Sequence, residues 1–377
     1  MYSVEKSKGI SFTKKIDYIL FIAVLVLSAM GIVILDSATK AMASGSRMMT
    51  IQIVSLGIGL VLSLIVSSID YKDFKVLGVV LYIVSVALLV LVLIIGTGDK
   101  EWGSKSWIRL GSIGFQPSEL AKISFIMVSS LFLEKISEGE KNKNILKLII
   151  YAVIPVLLVL KQPDTGTAIV FIFAFCAMIF VAGIPYKYIW ITAATFLASL
   201  PLAWFFVLKD YQKSRIMVYL NPELDKANRG YQVYQSKMVI GSGQLYGKGL
   251  YSGIQTQNGS VPVRESDFIF TVIGEELGFI GAAIIVALVF FILLRCMYVA
   301  RNSRDKYGAF LVVGVTSMLA FHFIENIGMC IGLLPVTGIP LPFISYGGSS
   351  MITNYIAIGM ILSVSMRRKR TIFNSSQ

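Results

Sequence analysis

Residues 76–96 read VLGVVLYIVSVALLVLVLIIG, a run in which Ser85 and the Tyr82 hydroxyl are the only polar side-chain groups. Wound as an α-helix with a rise of about 1.5 Å per residue, such a run covers roughly the 30 Å of a bilayer's hydrocarbon layer. Working outward from it, comparable runs recur near 17–36, 50–69, 117–134, 147–160, 166–183, 187–208, 268–294, 308–331 and 348–366. The composition agrees: of 377 residues, 56% are hydrophobic and 15% charged, with a mean hydropathy of +0.76. A soluble core cannot bury that much apolar surface. The sequence therefore predicts an all-α integral membrane protein, a single polytopic domain over 1–377 with about ten transmembrane helices.

The cations set its orientation. Lys6, Lys8, Lys14 and Lys15 precede the first span, and Lys72 and Lys75 follow the second. Further basic clusters follow the fourth, eighth and tenth spans, around Lys141, Arg301 and Arg368. Every second loop is basic, which places both termini on the cytoplasmic side. The net charge of +13 is thus a topology signal and gives no reason to infer nucleic-acid binding. The first run is longer than the apolar core of a signal peptide and reads as a retained anchor. Cys176, Cys296 and Cys330 fall within or at the end of spans, as packing residues, with no disulfide framework or metal spacing.

Two external loops interrupt the spans, at about 97–116 and 209–267. The first carries glycines, a few charges, and Trp102 and Trp107 suited to the lipid interface. The second is too long to be a plain connector. Its stretch GYQVYQSKMVIGSGQLYGKG (230–249) is rich in glycine, yet no strand precedes it, so nucleotide binding is rejected.

Ionisable groups at the spans are the informative positions, because a charge in hydrocarbon is costly unless it faces protein or water. Glu119 and Lys122 share a helix face at i and i+3, either as a simple structural pair or as part of a cationic site with Arg109 and Lys105. Asp164 opens the sixth span, as an N-cap or as the wall of a polar cavity. Asp267 stands where the long loop enters the eighth span, where capping is again the plain alternative. Glu275 and Glu276 lie about two turns further in, and at least one must face the interior. His322, Glu325 and Asn326 sit on the ninth span, where a lone histidine reads as a hydrogen-bonded packing residue. The run LPVTGIPLPFISYGGSS (334–350) is apolar and proline-broken, a re-entrant or cavity-lining loop.

Five blocks taken together resemble the SEDS family, named for shape, elongation, division and sporulation: WIRLGSIGFQPSELAK (107–122), QPDTGTA (162–168), GYQVYQSKMVIGSGQLYGKG (230–249), ESDFIFTVIGEELGFIG (265–281) and GLLPVTGIPLPFISYGGSS (332–350). The match covers nearly the whole chain in the family's order. The absence of terminal extensions and the NRGYQVYQSK form of the long loop resemble the RodA subfamily more than the FtsW subfamily. Glu265 departs from the histidine that many members carry there.

The resemblance implies a peptidoglycan glycosyltransferase of the bacterial cytoplasmic membrane. Such an enzyme polymerises lipid II at the outer face during elongation and shape maintenance, with a class B penicillin-binding protein and other elongation machinery as partners. It marks Asp267 as the essential aspartate, which would be the base, and maps Arg109, Glu119, Lys122 and Asp164, with Arg47, to the polar cavity that would receive the pyrophosphate. A divalent cation, Mg or Mn, could assist the leaving group, although no motif demands one. Two other classes meet some of the same observations: a transporter that flips the lipid-linked precursor, and a non-catalytic scaffold for a penicillin-binding protein. Flipping does not account for a carboxylate at the exit of a long external loop, and a scaffold would tolerate loss of Asp267.

Overall fold

The computed structural model describes residues 16–98, 105–110, 113–183, 213, 217 and 229–368. Along the chain run α1 (Tyr18–Thr39), α2 (Gly45–Ser68), α3 (Phe74–Ile95), the strands β1 (Ile108–Leu110) and β2 (Ile113–Phe115), α4 (Pro117–Ser137), α5 (Lys141–Lys161) and α6 (Thr165–Val181). After the undescribed stretch come α7 (Arg229–Ser242), the short α8 (Ile254–Gln257), α9 (Ile269–Arg301), α10 (Lys306–Cys330) and α11 (Gly348–Met366). Each expected span has its helix except 187–208, which lies outside the described residues. α2 and α5 start several residues before the expected positions 50 and 147, because their first turns are polar and a hydropathy reading trims them.

Seven of these helices are long and apolar enough to cross a bilayer. α4 is kept out of that set by Glu119, Lys122, Glu134 and Lys135, and α6 by its length of 17 residues. The charges on α4 are tolerable because the helix is wrapped by protein: it packs along α3, α5 and α10, and its buried positions go all the way round. The most apolar windows of α10 and α11 are each 72% buried, against 22–28% for α2, α3 and α5, so α4, α10 and α11 make the centre and the others face lipid. α11 lies against α2 closely enough that a Cβ on Gly359 would come 2.6 Å from the Ser63 carbonyl oxygen.

The two ends of the bundle differ. At one end Asp17 caps α1 by accepting from the Leu20 amide at 3.2 Å and pairs with Arg295 at 3.0 Å, near Arg368. These are the termini and the basic loops. At the other end α9 is broken. Gly278 has φ 67° and ψ −165°, backbone that only glycine adopts readily, and it divides α9 into 269–277 and 279–301. The break orphans backbone groups, and the glycine-rich segment after α7 takes them. Lys248 and Gly249 amides donate to the Glu275 and Glu276 carbonyls, both at 3.0 Å, while the Phe279 and Ile280 amides donate to Gln244 and Leu245 carbonyls at 2.8 and 3.1 Å. A continuous eighth span over 268–294 is thus corrected to a broken helix, and the glycine-rich motif acquires a structural purpose. Side chains at 243 or 247 would collide with the Gly274 or Glu276 carbonyl oxygens, which is why both positions are glycine.

Candidate active site

α4 begins after the β1–β2 hairpin, with Pro117 in its first turn, and this brings Glu119 and Lys122 to the end of the bundle that holds the break. Both are buried. The Lys122 ammonium donates to Glu119 Oε1 at 2.9 Å and lies 3.0 Å from His322 Nε2 on α10. Asp164 is the N-cap of α6, its carboxylate accepting from the Thr167 amide at 3.0 Å and hydroxyl at 2.8 Å. It also feels the charges of Lys122 and Glu119. The two readings of Asp164 and of the Glu119–Lys122 pair are therefore not exclusive: each is a structural contact inside a charged cluster.

One helical turn along α10 from His322 stands Asn326, whose side-chain amide donates to the Asp267 carbonyl at 2.7 Å and to the Ile339 carbonyl at 2.8 Å. Residues at i and i+4 share a helix face about 6 Å apart. A single face of α10 therefore holds Lys122 by one residue and the backbone of Asp267 by the next. The N-cap of α9 falls on Phe268, one position past Asp267, and makes no side-chain capping bond. Asp267 is only half-buried, and its carboxylate lies beside Gly338, where a Cβ would come 3.3 Å from Oδ2.

Gly338 is an exposed position of the proline-broken loop between α10 and α11, whose following stretch is buried, with Ile339, Leu341, Phe343 and Ile344 in the core. Irregular buried backbone needs partners. Gln52 of α2 supplies two, donating to the Ser345 carbonyl at 2.9 Å and accepting from the Gly347 amide at 3.1 Å. The Thr337 hydroxyl donates to Glu325 at 2.7 Å, and the Ser345 hydroxyl donates to the Ser266 carbonyl. The loop is thereby fixed to the residue next to Asp267.

The two arginines lie elsewhere, on the rim. Arg109 is exposed on β1, paired in register with Gly114, whose carbonyl accepts from Ser349 at the start of α11. Arg47 is exposed in the first turn of α2, near Tyr346: burial pushes that phenol's pKa up, and the Arg47 charge pulls it down. Both cations thus flank the Tyr346–Ser349 stretch, while buried Lys122 and Glu119 form a floor with half-buried Asp164 beside them. In this cluster Ser118 Oγ, Glu119 Oε2 and Asn326 Oδ1 are buried without a hydrogen-bond partner, as are single atoms of Glu265, Glu276, Tyr307, Ser365 and Arg368. In a membrane interior such atoms are costly, and they are acceptors or donors left for something to engage. Among the described residues no three His, Cys, Asp or Glu side chains are grouped to hold a metal.

His322 and Asn326 are visible in the sequence only as polar residues inside a span. Gln52 and Thr337 carry no signal beyond being polar in an apolar setting, and their partners are remote in the chain.

A many-helix membrane protein with a carboxylate and a buried ammonium held by one helix at one end of its bundle is the class that fold and site define. Residues 17–370 match the model of the cell cycle protein family of FtsW, RodA and SpoVE, and the chain belongs to that family. It is a multi-pass protein of the cytoplasmic membrane. It is 35% identical over 353 residues to the peptidoglycan glycosyltransferase MrdB of Escherichia coli K12, covering 93% of each chain. It is 36% identical over 366 residues to the stage V sporulation protein E of Bacillus subtilis, covering 93% of this chain and 96% of that one. Among solved structures it resembles the rod shape determining protein RodA of Thermus thermophilus, with a TM-score of 0.70, 29% identity, and 94% and 98% of the two chains covered. It also resembles a chain of a peptidoglycan synthase complex that coordinates polymerization and crosslinking, with a TM-score of 0.80, 30% identity, and 93% and 97% covered.

Proposed function

We propose that this protein is a peptidoglycan glycosyltransferase that polymerises lipid II at the outer face of the cytoplasmic membrane during cell elongation, alongside a class B penicillin-binding protein. The observation that carries the reading is the single face of α10 that bonds Lys122 through His322 and Asp267 through Asn326. This cluster lies at the end of the bundle away from Asp17, Arg295 and Arg368, which the basic loops put in the cytoplasm. The names of MrdB and of the synthase complex supply the chemistry.

In this reading the 4-hydroxyl of an incoming lipid II gives its proton to the Asp267 carboxylate while its oxygen attacks C1 of the reducing-end sugar of the growing glycan. The new C1–O bond forms as the bond to pyrophosphate breaks on the opposite face, with inversion. The departing undecaprenyl pyrophosphate keeps the electron pair, and Lys122 in the floor with Arg109 and Arg47 on the rim stabilises its charge. Glu119 pairs with the ammonium, and the Asp164 carboxylate adds its charge nearby. The undecaprenyl tails anchor the reacting carbons at the membrane boundary, the depth at which Asp267 enters α9.

The test is Asp267→Asn in proteoliposomes supplied with lipid II, read as glycan polymer on a gel. Asparagine keeps the size and hydrogen-bonding shape of the side chain but loses its basic oxygen. Polymer should fall by about a hundredfold or more while the thermal midpoint and binding of the penicillin-binding protein are retained. Parental polymer yield would remove Asp267 from the mechanism and turn attention to Glu119 or Asp164 as the base.

A further inference from the structure

The chain contains one histidine, and it touches the buried ammonium of the site. An ammonium has three N–H groups and no lone pair, so it can only donate. One N–H goes to Glu119 Oε1 at 2.9 Å and a second to His322 Nε2 at 3.0 Å, which must offer its lone pair. The ring proton is then on Nδ1, where the Met318 carbonyl, one turn back on α10, accepts it at 2.6 Å. The backbone of α10 thereby fixes both the tautomer and the plane of the ring.

Two acceptors at fixed positions leave the third N–H a single tetrahedral direction. The other Glu119 oxygen, Oε2, has no partner, so the ammonium has not closed onto the carboxylate through both oxygens. Bonded to Glu119 alone, the ammonium could turn about that one contact on its flexible four-carbon stem, whereas a second acceptor on α10 fixes where its remaining N–H points. We infer that His322 is a positioning residue for Lys122: its neutral Nε2 holds the third N–H toward the departing pyrophosphate. This rests on the reading of Lys122 as the leaving-group cation. The imidazole takes no proton from the substrate and touches none of the reacting atoms.

The experiment compares full-length His322→Gln, which keeps an acceptor, with His322→Phe and His322→Leu, which do not, in proteoliposomes with lipid II and with Lys122→Met as the control. Loss of a positioning contact should lower kcat by about tenfold or more in the Phe and Leu variants, with KM for lipid II changed by less than about threefold. The Gln variant should stay within about threefold of the parent in both, and kcat is read per folded molecule, since the Phe and Leu variants should also have somewhat lower thermal midpoints. A purely structural histidine would lower the amount of folded protein and leave the kcat of what folds unchanged. Parental kcat in a folded Phe or Leu variant overturns the inference, as does a Gln variant as slow as they are. Failure of both apolar variants to fold, when the Gln variant folds, also overturns it, by making the acceptor a requirement of the fold. An inactive Lys122→Met beside a fully active His322→Phe removes His322 alone, whereas a fully active Lys122→Met removes the reading of Lys122 and this inference with it.

Discussion

Two Lys–Glu pairs lie at the same end of this molecule, and they are built to opposite rules. Lys248 and Glu275 meet at 2.8 Å, Lys122 and Glu119 at 2.9 Å. Every lone pair direction of Glu275 is used: Oε1 accepts from Lys248 and the Gln255 amide, and Oε2 from the Thr256 amide and hydroxyl. Glu119 has one partner on Oε1 and none on Oε2. The first pair ties the segment between α7 and α9 to the break in α9 and has nothing left to offer. The second keeps an oxygen and an N–H in reserve at a cost to the fold. A saturated buried pair is scaffold; an unsaturated one is a place for a ligand.

The comparison breaks first if lysine is removed from each pair in turn. If Lys122 is the leaving-group cation proposed above, Lys122→Met should cut polymer from lipid II by about a hundredfold or more per folded molecule. Lys122→Arg keeps the charge and should retain part of the rate. Lys248→Met should lower stability by about 3 kcal/mol, the lower range for breaking a buried pair, since Lys248 is 26% exposed and three other donors still hold Glu275. Its specific activity should stay near parental. If Lys248→Met instead abolished turnover in stable protein, the scaffold reading of that pair would be wrong.

Gly278→Ala sharpens the scaffold side. Its φ of 67° and ψ of −165° exclude a side chain, and a Cβ there would overlap the Gly247 amide nitrogen. We expect a loss of about 2–3 kcal/mol, seen as a lower thermal midpoint, and earlier protease cleavage in the 243–257 segment. The helix 269–277 should also lose its fixed direction relative to 279–301. Activity per folded molecule should therefore fall several-fold, since Asp267 enters at the head of that helix.

The sequence exposes one of these pairs and conceals the other. Glu119 and Lys122 are three residues apart on an apolar helix, so their contact follows from helical geometry. Lys248 and Glu275 are 27 residues apart and meet only because Gly278 breaks α9 and the glycine-rich segment fills the break. Span positions were legible because lipid imposes a length on every crossing helix, which the expected 348–366 and 308–331 match within two residues. The break was not, because a hydropathy run carries no information on φ at a single glycine. Likewise Asp164, Asp267 and Lys122 stand out as charges at span edges, while His322 and Lys122 are 200 residues apart and the sequence gives no sign that they touch.

The smallest effect comes from Gly338, and it separates the site from plain backbone strain. Gly338 has φ +79° and Gly139, in the connection between α4 and α5, has φ +108°, so an alanine at either is strained by about 1–2 kcal/mol. Their surroundings differ. A Cβ on Gly139 would meet nothing within 4 Å, whereas one on Gly338 would come 3.3 Å from Asp267 Oδ2, closer than most real Cβ contacts. The carboxylate would have to give by a few tenths of an ångström, and a general base displaced from its proton loses rate before it loses binding. Gly338→Ala and Gly139→Ala should therefore show similar drops in thermal midpoint. Only Gly338→Ala should lower kcat, by about two- to tenfold, with KM for lipid II nearly unchanged. Equal specific activities in the two variants would mean that the Gly338 contact does not set the position of the Asp267 carboxylate, and that the proline-broken loop supports the site only through the Ser345 and Asn326 bonds to the backbone of Ser266 and Asp267.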